Sequence, residues 1–114
     1  MSINVRPDAQ MLEDGKMVIV DIRTKDEWLQ TGVVKNAKCI TFFDERGSYN
    51  VEEFLKQIDA LGGKEQEIGL ICRTGSRTSQ VANFMKSEGY NVKNLVGGVI
   101  GLMQQGYQLV PYKE

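Results

Sequence analysis

Ile68-Gly69-Leu70-Ile71-Cys72-Arg73-Thr74-Gly75-Ser76-Arg77-Thr78-Ser79-Gln80-Val81-Ala82-Asn83-Phe84-Met85 passes from an apolar run to a helical pattern across a few polar residues. Ile68–Ile71 predicts a buried strand, and Val81, Ala82, Phe84 and Met85 share one face of a helix predicted over Gln80–Glu88. Cys72 therefore stands where a strand turns into a helix. The unpaired N–H groups of a first helical turn, together with the positive end of the helix dipole, favour an anion at such a junction. The first anion to benefit is the Cys72 thiolate itself, because a free thiol near pKa ~8.5 falls to roughly 3.5–7.5 beside helix N-termini or cations. Gly75 lets the loop adopt positive φ, so that successive N–H groups converge on one point. The bland alternative, a strand-to-helix turn around an inert buried thiol, does not explain Arg73 and Arg77 on both sides of the turn.

Outward from this junction, helical and extended patterns alternate. Pro7, with Ala9, Met11 and Leu12, predicts a short first helix with the proline at its start. Met17–Asp21 reads as a strand, Thr24–Gln30 as a helix and Cys39–Phe42 as a strand. Apolar residues at Val51, Phe54, Leu55, Ile58 and Leu61 give a helix stopped by Gly62-Gly63. Gly89 ends the helix after the Cys72 loop, Val92–Val96 is the last strand and Val99–Gln105 the last helix. Strands separated by helices imply an α/β fold with a mostly parallel sheet covered on both faces. Ligands of such folds bind at the carboxyl ends of strands, where Cys72 falls.

The chain of 114 residues, 41% apolar and 25% charged with net charge −1, has the size and composition of one ordinary domain, spanning 1–114. Its charge balance gives no overall pull towards nucleic acid or an anionic membrane. No apolar run is long enough to span a bilayer, and the N-terminus lacks the pattern of a secretion signal, so a cytoplasmic location is the default expectation. Two cysteines without histidine exclude four-ligand zinc sites of the Cys/His type and suggest a working thiol in a reducing compartment. No metal and no cofactor are expected.

Three separate segments resemble the single-domain rhodanese family of sulfurtransferases. Val18-Ile19-Val20-Asp21-Ile22-Arg23, with Glu27 and Trp28 following, is similar to the family's strand ending in Asp-x-Arg; Cys72 to Arg77 is similar to its six-residue active-site loop; and Leu95-Val96-Gly97-Gly98-Val99 through Gly106-Tyr107 is similar to its C-terminal double-glycine signature. The resemblance implies a single rhodanese-like domain on a mostly parallel five-stranded sheet with helices on both faces. The chain departs from the family at Gly32–Ile40, which lacks the usual His and Pro, and at Leu102, where tryptophan is common. Neither departure touches the loop.

The resemblance implies sulfur transfer through a persulfide on Cys72, with Arg73, Thr74, Gly75, Ser76 and Arg77 binding the substrate. The expected donor is a small anion such as thiosulfate, preferred over mercaptopyruvate because two arginines suit a dianion; the acceptor is a thiol or cyanide, or a sulfur-accepting protein. A chain without histidine cannot use a Cys–His pair, so dipole and arginine must activate the thiol. Guanidinium forks suit multi-oxygen anions, although Arg77 could instead brace the loop through an ion pair. Glu27, four residues after Arg23, is expected to pair with it in a structural salt bridge, and Cys39 to be an inert core thiol rather than a resolving partner for Cys72.

Three other readings compete. A cysteine phosphatase or arsenate reductase usually places arginine six residues after the cysteine, where this chain has Thr78. A regulatory binding module on the same scaffold often loses the cysteine, which is kept here. A persulfide carrier to a partner protein shares every sequence feature with a small-molecule enzyme.

Overall fold

The computed structural model describes residues 3–113. Its strands are β1 (Asn4–Val5), β2 (Val18–Asp21), β3 (Lys38–Cys39), β4 (Ile68–Ile71) and β5 (Val92–Leu95). All pair in parallel, in the order β1-β5-β4-β2-β3. The helices are α1 (Ala9–Glu13), α2 (Lys25–Thr31), α3 (Val51–Asp59), α4 (Ser76–Ser87) and α5 (Gly98–Gln104). The expected five-stranded parallel architecture is thus present. None of the described helices is long and apolar enough to cross a membrane.

Side-chain alternation along the strands divides the core in two. Val20, Ile68, Leu70 and Val92 pack with Phe54 and Ile58 of α3 and Val81, Ala82 and Met85 of α4. Ile19, Ile71 and Leu95 point the other way, onto Leu12 of α1 and Val99 and Leu102 of α5. Successive strand residues face opposite sides of a sheet, so strands buried on both faces read as unbroken apolar runs. Gly69 serves the second layer, since a Cβ there would drive into the side chain of Met17.

Several element ends differ from expectation, each for a local reason. Asp8 caps α1 by accepting from the Met11 N–H at 2.9 Å, which leaves Pro7 outside the helix. β3 is Lys38–Cys39 rather than Cys39–Phe42, because β2 ends where Asp21 pairs with Cys39. The α3 helix stops at Asp59, short of Leu61, because the Leu61 N–H donates to the Ile58 carbonyl at 2.9 Å, three residues back, and the chain tightens out of the α pattern. α4 begins at Ser76, ahead of the expected Gln80, because Gly75 at φ +100° swings the chain directly into helical geometry. β1, at the far edge, is too short for any periodicity; hydrogen bonds from Asn94 N–H to the Ile3 carbonyl and from Val96 N–H to the Val5 carbonyl hold it.

Candidate active site

β4 is the central strand, and Cys72 is the first residue beyond its carboxyl end. After β2 the chain moves outward to β3, whereas after β4 it moves outward in the opposite direction to β5. Such a reversal opens a crevice beyond the strand ends, the place where open α/β sheets bind ligands. Topology alone thus puts the thiol at the preferred site of the fold.

Cys72 is fully buried. The Gly75 N–H donates to its Sγ at 3.1 Å, and Thr78 Oγ1 lies 3.5 Å from the same atom. Burial pushes the Cys72 thiol up, but the Thr78 hydroxyl and the backbone N–H groups of Thr78, Gly75 and Thr74 together outweigh it and hold the thiol below its ordinary value. Hydrogen bonds to the charged form are the physical cause. The Gly75 N–H thus meets Sγ at the strand-to-helix junction, with the Thr78 hydroxyl within reach of the same atom.

The loop is itself gripped from behind by the start of α5. Val99 N–H donates to the Cys72 carbonyl at 2.9 Å and Ile100 N–H to the Arg73 carbonyl at 3.1 Å. Gly98, at φ +57°, sits so close that a Cβ would collide with the carbonyl groups of Cys72 and Arg73. A Cβ on Gly75 would come within 3.2 Å of the Gly97 nitrogen. The glycine pair therefore lets two backbones touch, and the helix that follows fixes where the loop carbonyls point.

The arginines divide their tasks. Arg73, Thr74 and Ser76 are exposed at the loop surface, with Thr74 Oγ1 3.4 Å from Ser76 Oγ. Arg77 turns to α2, where its two terminal nitrogens donate to the two carboxylate oxygens of Glu27, each at 2.8 Å. The expected Arg23–Glu27 pair is absent among the described contacts. Arg23 lies buried beside Asp21, donating through Nε and Nη2 at 2.8–3.1 Å and reaching Thr31 Oγ1 and the Gly32 carbonyl as well. The reason is reach: Asp21 leaves the strand end next to Arg23, whereas Glu27 is held by Thr24 in a capping box and faces the loop. The Arg77 guanidinium beside Glu27 lowers that carboxyl to about 2, against the opposing effect of burial.

Two residues of the site were not singled out from sequence. Thr78 lies in the first turn of α4, and Asn94 lies in β5, where it accepts from the Thr78 hydroxyl at 2.5 Å. A buried polar side chain must find partners, so Asn94 in a strand of otherwise apolar or snorkelling residues was the available signal. Among the described residues, no group of three or more His, Cys, Asp or Glu is placed to hold a metal ion.

A family model for the rhodanese-like domain matches residues 9–104. Among curated proteins, the chain is 25% identical over 114 residues to thiosulfate sulfurtransferase 18 of Arabidopsis thaliana, covering 96% of this chain and 82% of that protein. It is 33% identical over 87 residues to an uncharacterized protein of Rickettsia prowazekii, covering 73% of this chain and 69% of the relative. Among solved structures, a rhodanese-related protein from Thermoplasma volcanium superposes with a TM-score of 0.68 at 20% identity, over 92% of this chain and 96% of that one. A rhodanese-like domain protein from Staphylococcus aureus gives 0.60 at 23% identity, over 81% and 79%.

Proposed function

The chain belongs to the rhodanese-like domain family, and from that premise we propose that residues 1–114 form one rhodanese-like domain that transfers sulfane sulfur through a persulfide on Cys72. The observation that carries this reading is the Cys72 sulfur itself, fully buried yet held below the ordinary thiol range by the Gly75 and Thr78 donors. A thiolate so held attacks divalent sulfur without any proton relay, which suits a chain lacking histidine.

In the first half-reaction, Sγ attacks the outer sulfur of thiosulfate. The S–S bond of the donor breaks, and sulfite leaves with the electron pair. The product is an anionic Cys72 persulfide, whose charge the loop N–H groups can hold as they held the thiolate. In the second, a thiolate or cyanide attacks the outer sulfur, and the Cys72 thiolate departs. In this reading Arg73, exposed on the loop, meets the sulfonate end of the donor, supported by the suitability of a guanidinium fork for a multi-oxygen anion, with the hydroxyls of Thr74 and Ser76 beside it and the Gly75 N–H on the sulfur. Arg77 gives two N–H groups to Glu27 and retains three of the five a guanidinium carries. Its role is to set the loop against α2 and to add positive potential over the bound anion. No cofactor enters the reaction. The two free thiols suit a reducing compartment, and the cytoplasm is the proposed location.

The test is the intact mass of the protein after thiosulfate and desalting, with and without cyanide. Wild type gains a single sulfur atom and loses it to cyanide as thiocyanate, whereas Cys72→Ser gains none. Uptake by Cys72→Ser, or none by wild type from thiosulfate, mercaptopyruvate or a persulfide donor, defeats the assignment.

A further inference from the structure

Asn94 is a buried amide, 4% exposed, in the strand next to β4. Its Oδ1 accepts from Thr78 Oγ1 at 2.5 Å, and its Nδ2 donates to Asn4 Oδ1 at 3.0 Å. Asn4 is its register partner on β1 and is exposed. These contacts join the surface of the edge strand to the nucleophile, because Thr78 Oγ1 is also 3.5 Å from Cys72 Sγ.

The Thr78 hydroxyl has a single proton and three acceptors in reach: Asn94 Oδ1, the Gly75 carbonyl at 3.2 Å and Cys72 Sγ. It can serve the thiolate only by leaving Asn94. An amide turned by half a revolution keeps its shape while exchanging donor for acceptor. With Asn94 turned, Nδ2 donates to Thr78 Oγ1, the hydroxyl proton is released to Sγ, and Oδ1 faces Asn4. At the exposed end, a donor from Asn4 or solvent meets the Oδ1 so turned. The two arrangements differ in what the sulfur receives.

Resting on the reading of Cys72 as a nucleophile, we propose that Asn94 is a positioning residue for its sulfur: the amide turns the Thr78 proton towards Sγ when the sulfur is a thiolate and away from it when the charge moves to the outer sulfur of the persulfide. The Gly75 N–H is a fixed donor to the sulfur, whereas Thr78 is a donor that follows the charge. This is a function for a polar residue in the middle of a buried strand, where an apolar side chain would pack without needing partners.

The test titrates the Cys72 thiolate by its ultraviolet absorbance in a Cys39→Ser background, with Cys72→Ser as the blank. Asn94→Asp keeps the shape but only accepts, so the Thr78 proton is held at residue 94. The midpoint is expected to rise by about one pH unit. Charge alone would also raise it, so the decisive comparison is the same substitution in Thr78→Val, where more than half of the shift is expected to vanish. Thr78→Ser should retain it. Asn4→Asp, at the surface, should fix Asn94 in the same orientation and give a smaller rise that also needs the Thr78 hydroxyl; it serves as the measurement if Asn94→Asp does not fold. Shifts of equal size with and without that hydroxyl, or no shift from either aspartate, overturn the proposal. The titration is made on the sulfur-free thiol and needs no sulfur transfer. A coupled midpoint in a protein that takes up no sulfur refutes the sulfurtransferase reading and leaves the relay standing; sulfur uptake without coupling does the reverse.

Discussion

Glu27 and Arg77, fifty positions apart, meet through two hydrogen bonds of 2.8 Å, one to each carboxylate oxygen. This fork joins the second helix to the first turn of the helix behind Cys72, so the orientation of the Cys72 loop depends on a residue from the opposite half of the sequence. The pair is partly exposed, with 28% of the Arg77 side chain and 23% of Glu27 accessible, so solvent weakens it and its contribution to stability is modest.

Glu27→Gln is therefore expected to lower stability by about 1 kcal/mol at neutral pH. The folded-state pKa of Glu27 is depressed to about 2 from an ordinary 4.5, so its contribution is complete above 4.5 and is lost as the pH falls towards 2. Urea unfolding of wild type and variant across that window should show the two curves converging. A constant gap would mean that the carboxylate charge is not what holds Arg77.

The thiol carries its own linkage. Cys72 has a folded pKa below its ordinary 9.0, so ionisation favours the fold. The gain is complete above 9.0 and absent below the lowered folded value. Between those limits the stability of wild type relative to Cys72→Ser should rise with pH, and sulfur uptake should rise through the lower edge of the same window. Unfolding midpoints and uptake rates measured over one pH series check both; a stability difference that does not change with pH would remove the thiolate from the resting fold.

Gly98 and Gly101 lie on the same helix and should respond in opposite directions. Gly98→Ala places a Cβ against the Cys72 and Arg73 carbonyls at a positive φ, and is expected to cost about 2–4 kcal/mol and most of the activity. Gly101 has open space around its Cβ direction, so Gly101→Ala is expected to stabilise by about 0.5–1 kcal/mol with activity retained. Thermal unfolding and sulfur uptake of the two variants decide the matter. Equal effects would mean that the glycine pair does not carry the loop.

The strand-loop-helix around Cys72 was legible because apolar runs, a glycine and a helical face are local signals, and the same is true of the buried strands β2 and β4. β1 was not, since two residues have no period and its position is set by pairing with β5. Arg77 drew attention as a charge, but its partner depended on how α2 docks against the loop. Arg23 and Glu27 satisfied helical spacing and yet do not pair, because Asp21, at 2.8 Å from the same guanidinium, competes from the strand end. Asn94 shared the weakness of all buried polar residues: its chemistry lies in partners that only the fold supplies.

Asp21 and Arg23 are both buried, at 0% and 1% accessibility, which makes their pair costly to break. Asp21→Ala leaves a guanidinium enclosed without its counter-charge and should cost about 3–5 kcal/mol. Arg23 also holds Thr31 Oγ1 and the Gly32 carbonyl, so the loss should spread to the end of α2. Denaturant unfolding with amide exchange over residues 25–32 reads both effects; a loss below ~1 kcal/mol would place this pair with surface ion pairs.

Cys39 and Cys72 should never form a disulfide. Asp21 pairs with Ile71 on one side and with Cys39 on the other, so Cys39 lies two strand spacings from β4, about 9.6 Å from Ile71. A disulfide needs Cα atoms within about 7 Å. Burial, with a smaller contribution from the Asp21 charge, also pushes the Cys39 thiol up to about 11, so almost none of it is thiolate at neutral pH. Treatment with diamide followed by a denatured thiol count is expected to find no intramolecular bridge, and Cys39→Ser should take up sulfur from thiosulfate at the wild-type rate. A bridge, or a second turnover that fails in Cys39→Ser, would make Cys39 a resolving partner and require β3 to leave the sheet.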